Sequence, residues 1–155
     1  MGQADSDQEI LEFAISRENE AYNFYMALAD RVMAPNIRQL FEILAREELE
    51  HKARLELEVI KTGRTISTEL KPARSASEYI LSSDPTPLDM DYRDVLLLGM
   101  EKEEAAFRIY VNLIGSIHDE QSREVLLALA QEEVRHKLRF ETEYNILQKN
   151  LRNEE

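Results

Sequence analysis

Cysteine is absent from the chain. That excludes disulfides, thiolate zinc sites, iron–sulfur clusters and a cysteine nucleophile. Glycine and proline number four each among 155 residues, too few for the turns of a β-rich protein. Apolar runs are only a few residues long, so no segment reads as a membrane span. The polar, acidic start MGQADSDQEI lacks the basic and apolar regions of a secretion signal. Basic residues are also scarce, with 19 Lys and Arg against 31 Asp and Glu and a formal net charge of -12. A nucleic acid or an anionic membrane surface demands the opposite surplus, so neither is expected as a partner. These absences together lead to the expectation of a cytoplasmic protein.

What remains is rich in helix formers. Ala, Leu, Glu, Lys, Arg and Gln dominate, and the 43% of hydrophobic residues suffice for one core in a single domain spanning 1–155. Four long segments carry the helical period, and none alternates with period two. The first is predicted from Asp7 to Met33, with Ser6 and Glu9 as a capping box. The second runs from Pro35, a favoured first helical residue, to Thr62, with Gly63 as its stop. The third runs from Tyr92 to Ile117, and the fourth from Glu120 to Asn150 with Asp119 as its cap. A linker at about 63–90 separates hairpin one (about 7–62) from hairpin two (about 91–150). It is rich in Pro, Ser and Thr, and Ser75 with Glu78 can cap a short helix through Leu81. The expected fold is all-α, a four-helix bundle of two helical hairpins joined by a long crossover.

The two halves repeat one another at a constant offset of 85, from Leu44 to Leu129. LAREELEHKARLELE and LAQEEVRHKLRFETE, which start at those residues, agree at nine of fifteen positions. The same offset relates Glu18 to Glu103, Ala21 to Ala106, Tyr25 to Tyr110 and Leu28 to Leu113. One offset that serves both helix pairs implies two hairpins related by a pseudo-twofold axis.

The repeat carries chemistry. Glu48 and His51 form a Glu-x-x-His on the second predicted helix, and Glu133 and His136 form another on the fourth. Residues at i and i+3 share a face, and here that face is apolar: Leu44, Glu48, His51, Leu55 in one row and Leu129, Glu133, His136, Phe140 in the other. The first helix contributes Ala14, Glu18, Ala21, Tyr25, and the third Leu96, Glu103, Ala106, Tyr110. Each helix thus directs one carboxylate inward. Buried carboxylates cost several kcal/mol each when nothing compensates them, on the order of the buried-ion penalty in proteins, and these rows hold no Lys or Arg. Two divalent cations neutralise four carboxylates. One Glu from each of two helices with Glu-x-x-His from the other two is the donor set of carboxylate-bridged di-iron and di-manganese bundles. Glu18, Glu48, His51, Glu103, Glu133 and His136 are therefore the candidate metal ligands.

Other candidates read more simply. His118 suits a surface or capping role. Glu47 and Glu132 point about 100° away from their neighbouring ligands, by the helical repeat, and suit solvated positions or support of the ligands. Glu20, Glu50, Glu101 and Glu104 read as surface charges. Tyr25 and Tyr110 lie two turns after Glu18 and Glu103 on the same face. They either hydrogen-bond a ligand carboxylate or pass electrons, or they pack in the core with a tethered hydroxyl.

With these residues in view, the chain resembles the rubrerythrin family of the ferritin-like superfamily. The likeness covers about Glu9 to Leu147. It is carried by Glu18-Asn-Glu-Ala21 with Tyr25, by Glu48-Leu-Glu-His51, by Glu103 with Tyr110, and by Glu133-Val-Arg-His136. The resemblance implies a ferritin-like four-helix bundle. It also implies that Glu48 and Glu133 bridge two metals, that Glu18 and Glu103 are terminal carboxylates, and that His51 and His136 each serve one metal. Two departures stand out. The Cys-rich rubredoxin-like domain of full-length rubrerythrins has no counterpart in this chain, so electrons are expected from a separate donor protein or are not used at all. Peroxide-reducing members also resemble one another in an extra carboxylate one turn after the third-helix ligand, where this chain has Ala106.

The expected function is redox chemistry at a di-iron centre that meets dioxygen or hydrogen peroxide. The net reaction is reduction of peroxide or dioxygen, or oxidation of iron(II) to iron(III). The alternatives are iron binding or storage without turnover, and a bundle stabilised by zinc or manganese, since carboxylate and imidazole donors accept all three metals. A homodimer is expected, either of closed chains or with helices swapped between chains.

Overall fold

The computed structural model describes residues 3–61 and 92–154. They form four helices: α1 (Gln3–Arg31), α2 (Pro35–Lys61), α3 (Tyr92–Ser116) and α4 (Glu120–Glu154). No strand occurs among the described residues. The linker, the Gly63 stop and the short helix expected near Ser75 lie outside them. The described residues divide into two compact units. One holds α1, α2 and the segment from Ser116 to Val125; the other holds α3 to Gly115 and α4 from Leu126 onward.

In the first unit α1 and α2 form an antiparallel hairpin. The pairing is antiparallel because Asn19 meets Lys52 (Oδ1 to Nζ, 3.3 Å), whereas Tyr25, further along α1, meets Phe41, further back on α2. Leu11, Ile15, Leu28, Phe41, Leu44 and Leu55 are fully buried and lie at helical spacing along one stripe of each helix. The Tyr25 ring stacks on Phe41 with centroids 6.0 Å apart and meets Phe24 edge-on at 5.4 Å. Such geometry adds about 0.5–1.5 kcal/mol beyond area burial.

The second unit pairs α3 with α4 in the same sense. Glu104 lies beside Lys137, and the Tyr92 hydroxyl donates to Glu143 near the other end of the pairing. Burial, the Glu143 charge and that hydrogen bond together push the Tyr92 phenol above its ordinary range, so it stays a neutral donor.

The turns repeat as the helices do. Between α1 and α2, the Arg38 guanidinium donates to the Val32 carbonyl at 3.2 Å, and Arg123 donates to the Ile117 carbonyl at 2.7 Å between α3 and α4. Each long side chain reaches back six residues and satisfies a carbonyl left over at a helix end. Asp119 caps α4 as the sequence predicts, its Oδ2 accepting from the Ser122 N–H at 2.9 Å.

Two boundaries depart from expectation by four residues. α1 begins at Gln3, so Ser6 lies inside the helix and caps nothing. Acidic residues suit a first helical turn, and Asp7 is recruited elsewhere. α4 continues to Glu154, four residues past Asn150, because no Gly or Pro intervenes and Arg152 favours the negative end of the helix.

Asp7 clasps the turn before α4. Its Oδ1 accepts the His118 N–H at 2.9 Å and lies 3.1 Å from the His118 ring Nδ1, and its Oδ2 accepts the Asp119 N–H at 2.8 Å. Burial pushes the carboxyl upward, but these donors and the nearby imidazole outweigh it, so its pKa falls below the ordinary 3.8. A depressed folded-state pKa contributes stability that is present above 3.8 and is lost as pH falls through the lower folded value. Asp7→Asn is therefore expected to lower unfolding stability at pH 7 by about 1–3 kcal/mol. The deficit relative to the parent should shrink in denaturant titrations below about pH 4.

Candidate metal centre

Each unit assembles one trio of donors from its two helices. In the first, α1 supplies Glu18 and α2 supplies Glu48 and His51, one turn apart. All three are buried, with no more than 3% exposure. His51 Nδ1 stands 3.5 Å from Glu18 Oε2 and 4.0 Å from Glu48 Oε2. In the second, α3 supplies Glu103 and α4 supplies Glu133 and His136, equally buried. His136 Nδ1 stands 3.4 Å from Glu103 Oε1 and 3.9 Å from Glu133 Oε2. Within each trio the three residues offer one ligand atom apiece within 4.8 Å of one another. The structure thus brings all six predicted residues into one trio or the other, and the two trios match to within 0.1 Å.

These separations exceed the about 2.7–3.2 Å of an ordinary N–H···O hydrogen bond. They are close to the spacing of neighbouring donors around one cation: ligands at roughly 2.1 Å from a metal lie roughly 3.0–3.4 Å apart at octahedral to tetrahedral angles. The chemistry of the set points the same way. Carboxylate oxygens with one imidazole nitrogen suit iron, manganese and zinc. Two carboxylates on an apolar stripe need positive charge to be tolerated.

The helical spacing explains why the sequence folds this way locally. Leu44 and Leu55 flank Glu48 and His51 by one turn on either side, and both are fully buried. Leu129 and Phe140 do the same for Glu133 and His136. The apolar flanks draw the stripe inward, and the polar donors follow because they share it. Tyr25 and Tyr110 are buried at 1% and 3% exposure, as their position in the same rows requires.

Other candidates separate clearly. His118 is half exposed and binds Asp7 at the turn, so it belongs to the clasp. Glu50 and Glu101 are exposed as expected. Glu20 is not a surface charge, because its side chain is only 17% exposed and lies 4.0 Å from Arg17 Nη1. Arg17 is itself buried at 6%, a basic group next to Glu18 in sequence but off its row. Glu58, also buried, holds Lys61 Nζ at 3.0 Å. Sequence periodicity gives little sign of Arg17 or Glu58, because single charged residues beside an apolar stripe are ordinarily solvated.

A buried carboxylate held near another carboxylate destabilises the metal-free chain. Glu18 and Glu48 offer oxygens within 4.8 Å of one another, and like charges this close repel strongly where water is excluded. Glu48→Gln is accordingly expected to raise the melting temperature of the metal-stripped protein. A fall would show that the Glu48 charge is already compensated within the chain.

No curated protein matches the chain. Among solved structures, a hypothetical protein from Pyrococcus furiosus is 25% identical, with a TM-score of 0.68 over 92% of this chain and 90% of its own. A bacterioferritin from Desulfovibrio desulfuricans, described with a diiron site, is 14% identical with a TM-score of 0.74, over 96% of this chain and 85% of its own. A dodecameric thioferritin from Bacteroides fragilis is 18% identical with a TM-score of 0.73, over 97% and 90%. These likenesses establish the ferritin-like four-helix fold. The family model described as Rubrerythrin matches residues 9–144, and the chain belongs to the rubrerythrin family.

Proposed function

We propose that the two trios together hold a pair of iron ions, and that the protein uses them to reduce hydrogen peroxide or dioxygen with electrons from a separate donor. The observation that carries this reading is the duplicated trio: two carboxylates and one imidazole, fully buried, twice in one chain. Four carboxylates balance two divalent ions. In this reading Glu48 and Glu133 would be shared by the two ions, Glu18 and Glu103 would each hold one, and His51 and His136 would each serve one ion. Membership of the rubrerythrin family supports it.

Two bound iron(II) ions would supply two electrons, enough with two protons to convert one hydrogen peroxide into two waters. The chain's own residues set the conditions. The apolar rows exclude bulk water from the carboxylates, which strengthens their hold on cations. Each imidazole shares its helix face with the carboxylate one turn before it, so the two would hold the same ion together. In this reading Tyr25 and Tyr110, buried in the same rows, would hydrogen-bond a ligand carboxylate or pass an electron. In this reading the electrons would come from a separate donor.

Ala106 favours a second reading, iron binding with slow or no turnover. The position one turn after Glu103 lacks a carboxylate, so no extra ligand is at hand to follow a change of oxidation state.

Glu48→Ala or Glu133→Ala is expected to remove about half or more of the bound metal, because each would be shared by both ions. Elemental analysis of the purified variants checks this, and unchanged metal content in both would dismiss the proposed ligand set. Ala106→Glu is expected to raise the rate of peroxide reduction, measured with an artificial electron donor. Rapid peroxide turnover by the unmodified protein would show that a carboxylate at 106 is unnecessary.

A further inference from the structure

The two trios agree in donors and in distances, but not in what lies beneath them. In the second unit Gly99 and Phe140 meet so closely that a Cβ at position 99 would stand 2.6 Å from Cε1 and Cζ of the ring and 2.8 Å from Cε2. The ring therefore rests on the bare backbone of α3. Gly99 precedes Glu103 by one turn, and Phe140 follows His136 by one turn. Helical side chains lean over the turn on their N-terminal side. Glu103 thus leans toward the level of Gly99, and Phe140 leans toward His136. The fully buried ring forms a floor one turn from the Glu103–His136 pair.

The first unit has Ala14 and Leu55 at the corresponding positions, by the offset of 85. Both are as buried as their counterparts, so coverage does not distinguish the trios. Stiffness does. Leu55 turns about two sp³ torsions, whereas the Phe140 ring moves about one and lies directly against the α3 backbone at Gly99.

We infer that the Gly99–Phe140 pair is a positioning element that stiffens the second trio, so that the metal position served by His136 releases its ion more slowly than the one served by His51. This rests on the proposal that the trios hold metal. Phe140 touches no ion in this account and acts through the His136 and Glu103 side chains. Supporting groups around metal ligands commonly change affinity by 10-fold or more, so a rate ratio of roughly tenfold is expected.

The test uses the whole chain loaded with cobalt(II), whose visible absorption reports bound metal, and follows release to excess chelator. The parent should bind two cobalt ions and release them in two phases of equal amplitude, differing roughly tenfold in rate. Gly99→Ala combined with Phe140→Leu places the first unit's pair in the second, exchanging a ring for a methyl and a smaller side chain. In that double variant the two rates should converge while two ions still bind. The reciprocal pair, Ala14→Gly with Leu55→Phe, should slow the fast phase, and it keeps the test decisive if the first double variant does not fold. A purely structural role would alter melting temperature without changing the ratio of the two rates. Single-phase release by the parent, or a ratio unchanged in the folded variants, overturns the inference while leaving the metal centre intact. Failure to bind any cobalt overturns the metal reading itself, and the inference with it.

Discussion

The constraint on which the rest of the structure depends is the burial of carboxylate and imidazole groups in helical stripes that are otherwise apolar. Glu18, Glu48, Glu103 and Glu133 are each no more than 3% exposed. A chain selected for stability alone would place leucine at these positions, since hydrophobic replacements of buried ions are usually neutral or stabilising. Their presence means that folding tolerates a local cost at these positions. The surrounding design follows from that. Long helices supply apolar contact on either side of each donor, and turns tied by Arg38, Arg123 and Asp119 hold the hairpins in register. The Asp7 clasp adds a further tie at the turn before α4.

Duplication makes this economical. One hairpin plan, Glu on the first helix and Glu-x-x-His on the second, is used twice, down to the guanidinium caps at Arg38 and Arg123. The exceptions to the repeat are then informative. Phe140 stands opposite Leu55 in the repeat where Gly99 stands opposite Ala14, a larger side chain matched by a smaller one, which conserves packing. Asp7 corresponds to Tyr92, and each has found a different anchor: the His118–Asp119 turn for one, Glu143 for the other. Two units with the same donors can in this way differ in their mechanical support.

Much of this was legible in the sequence, because the signals were periodic. Helix positions followed from apolar spacing, Pro35 and Asp119 marked starts that the structure retains, and the six donors stood out by recurring at one offset on apolar faces. What the sequence hid was long-range or one-off. Ser6 and Glu9 satisfy a capping pattern, yet the helix runs on through Ser6 to Gln3. The partner of Asp7 lies more than a hundred residues away, beyond any local rule. Arg38 and Arg123 look like ordinary surface bases until their carbonyl partners are seen. Glu20 reads as solvated because the buried Arg17 beside it does too. Gly99 carried no turn signal, and only the ring against it explains it.

The most direct test of the central claim is anaerobic titration of iron(II) into the metal-free protein, followed by iron analysis and near-ultraviolet absorption after addition of hydrogen peroxide. The account predicts saturation at two irons per chain and growth of iron(III) absorption on oxidation. Saturation at two with no response to peroxide or dioxygen would contradict the redox role while leaving a metal centre. Failure to take up iron would contradict the centre itself.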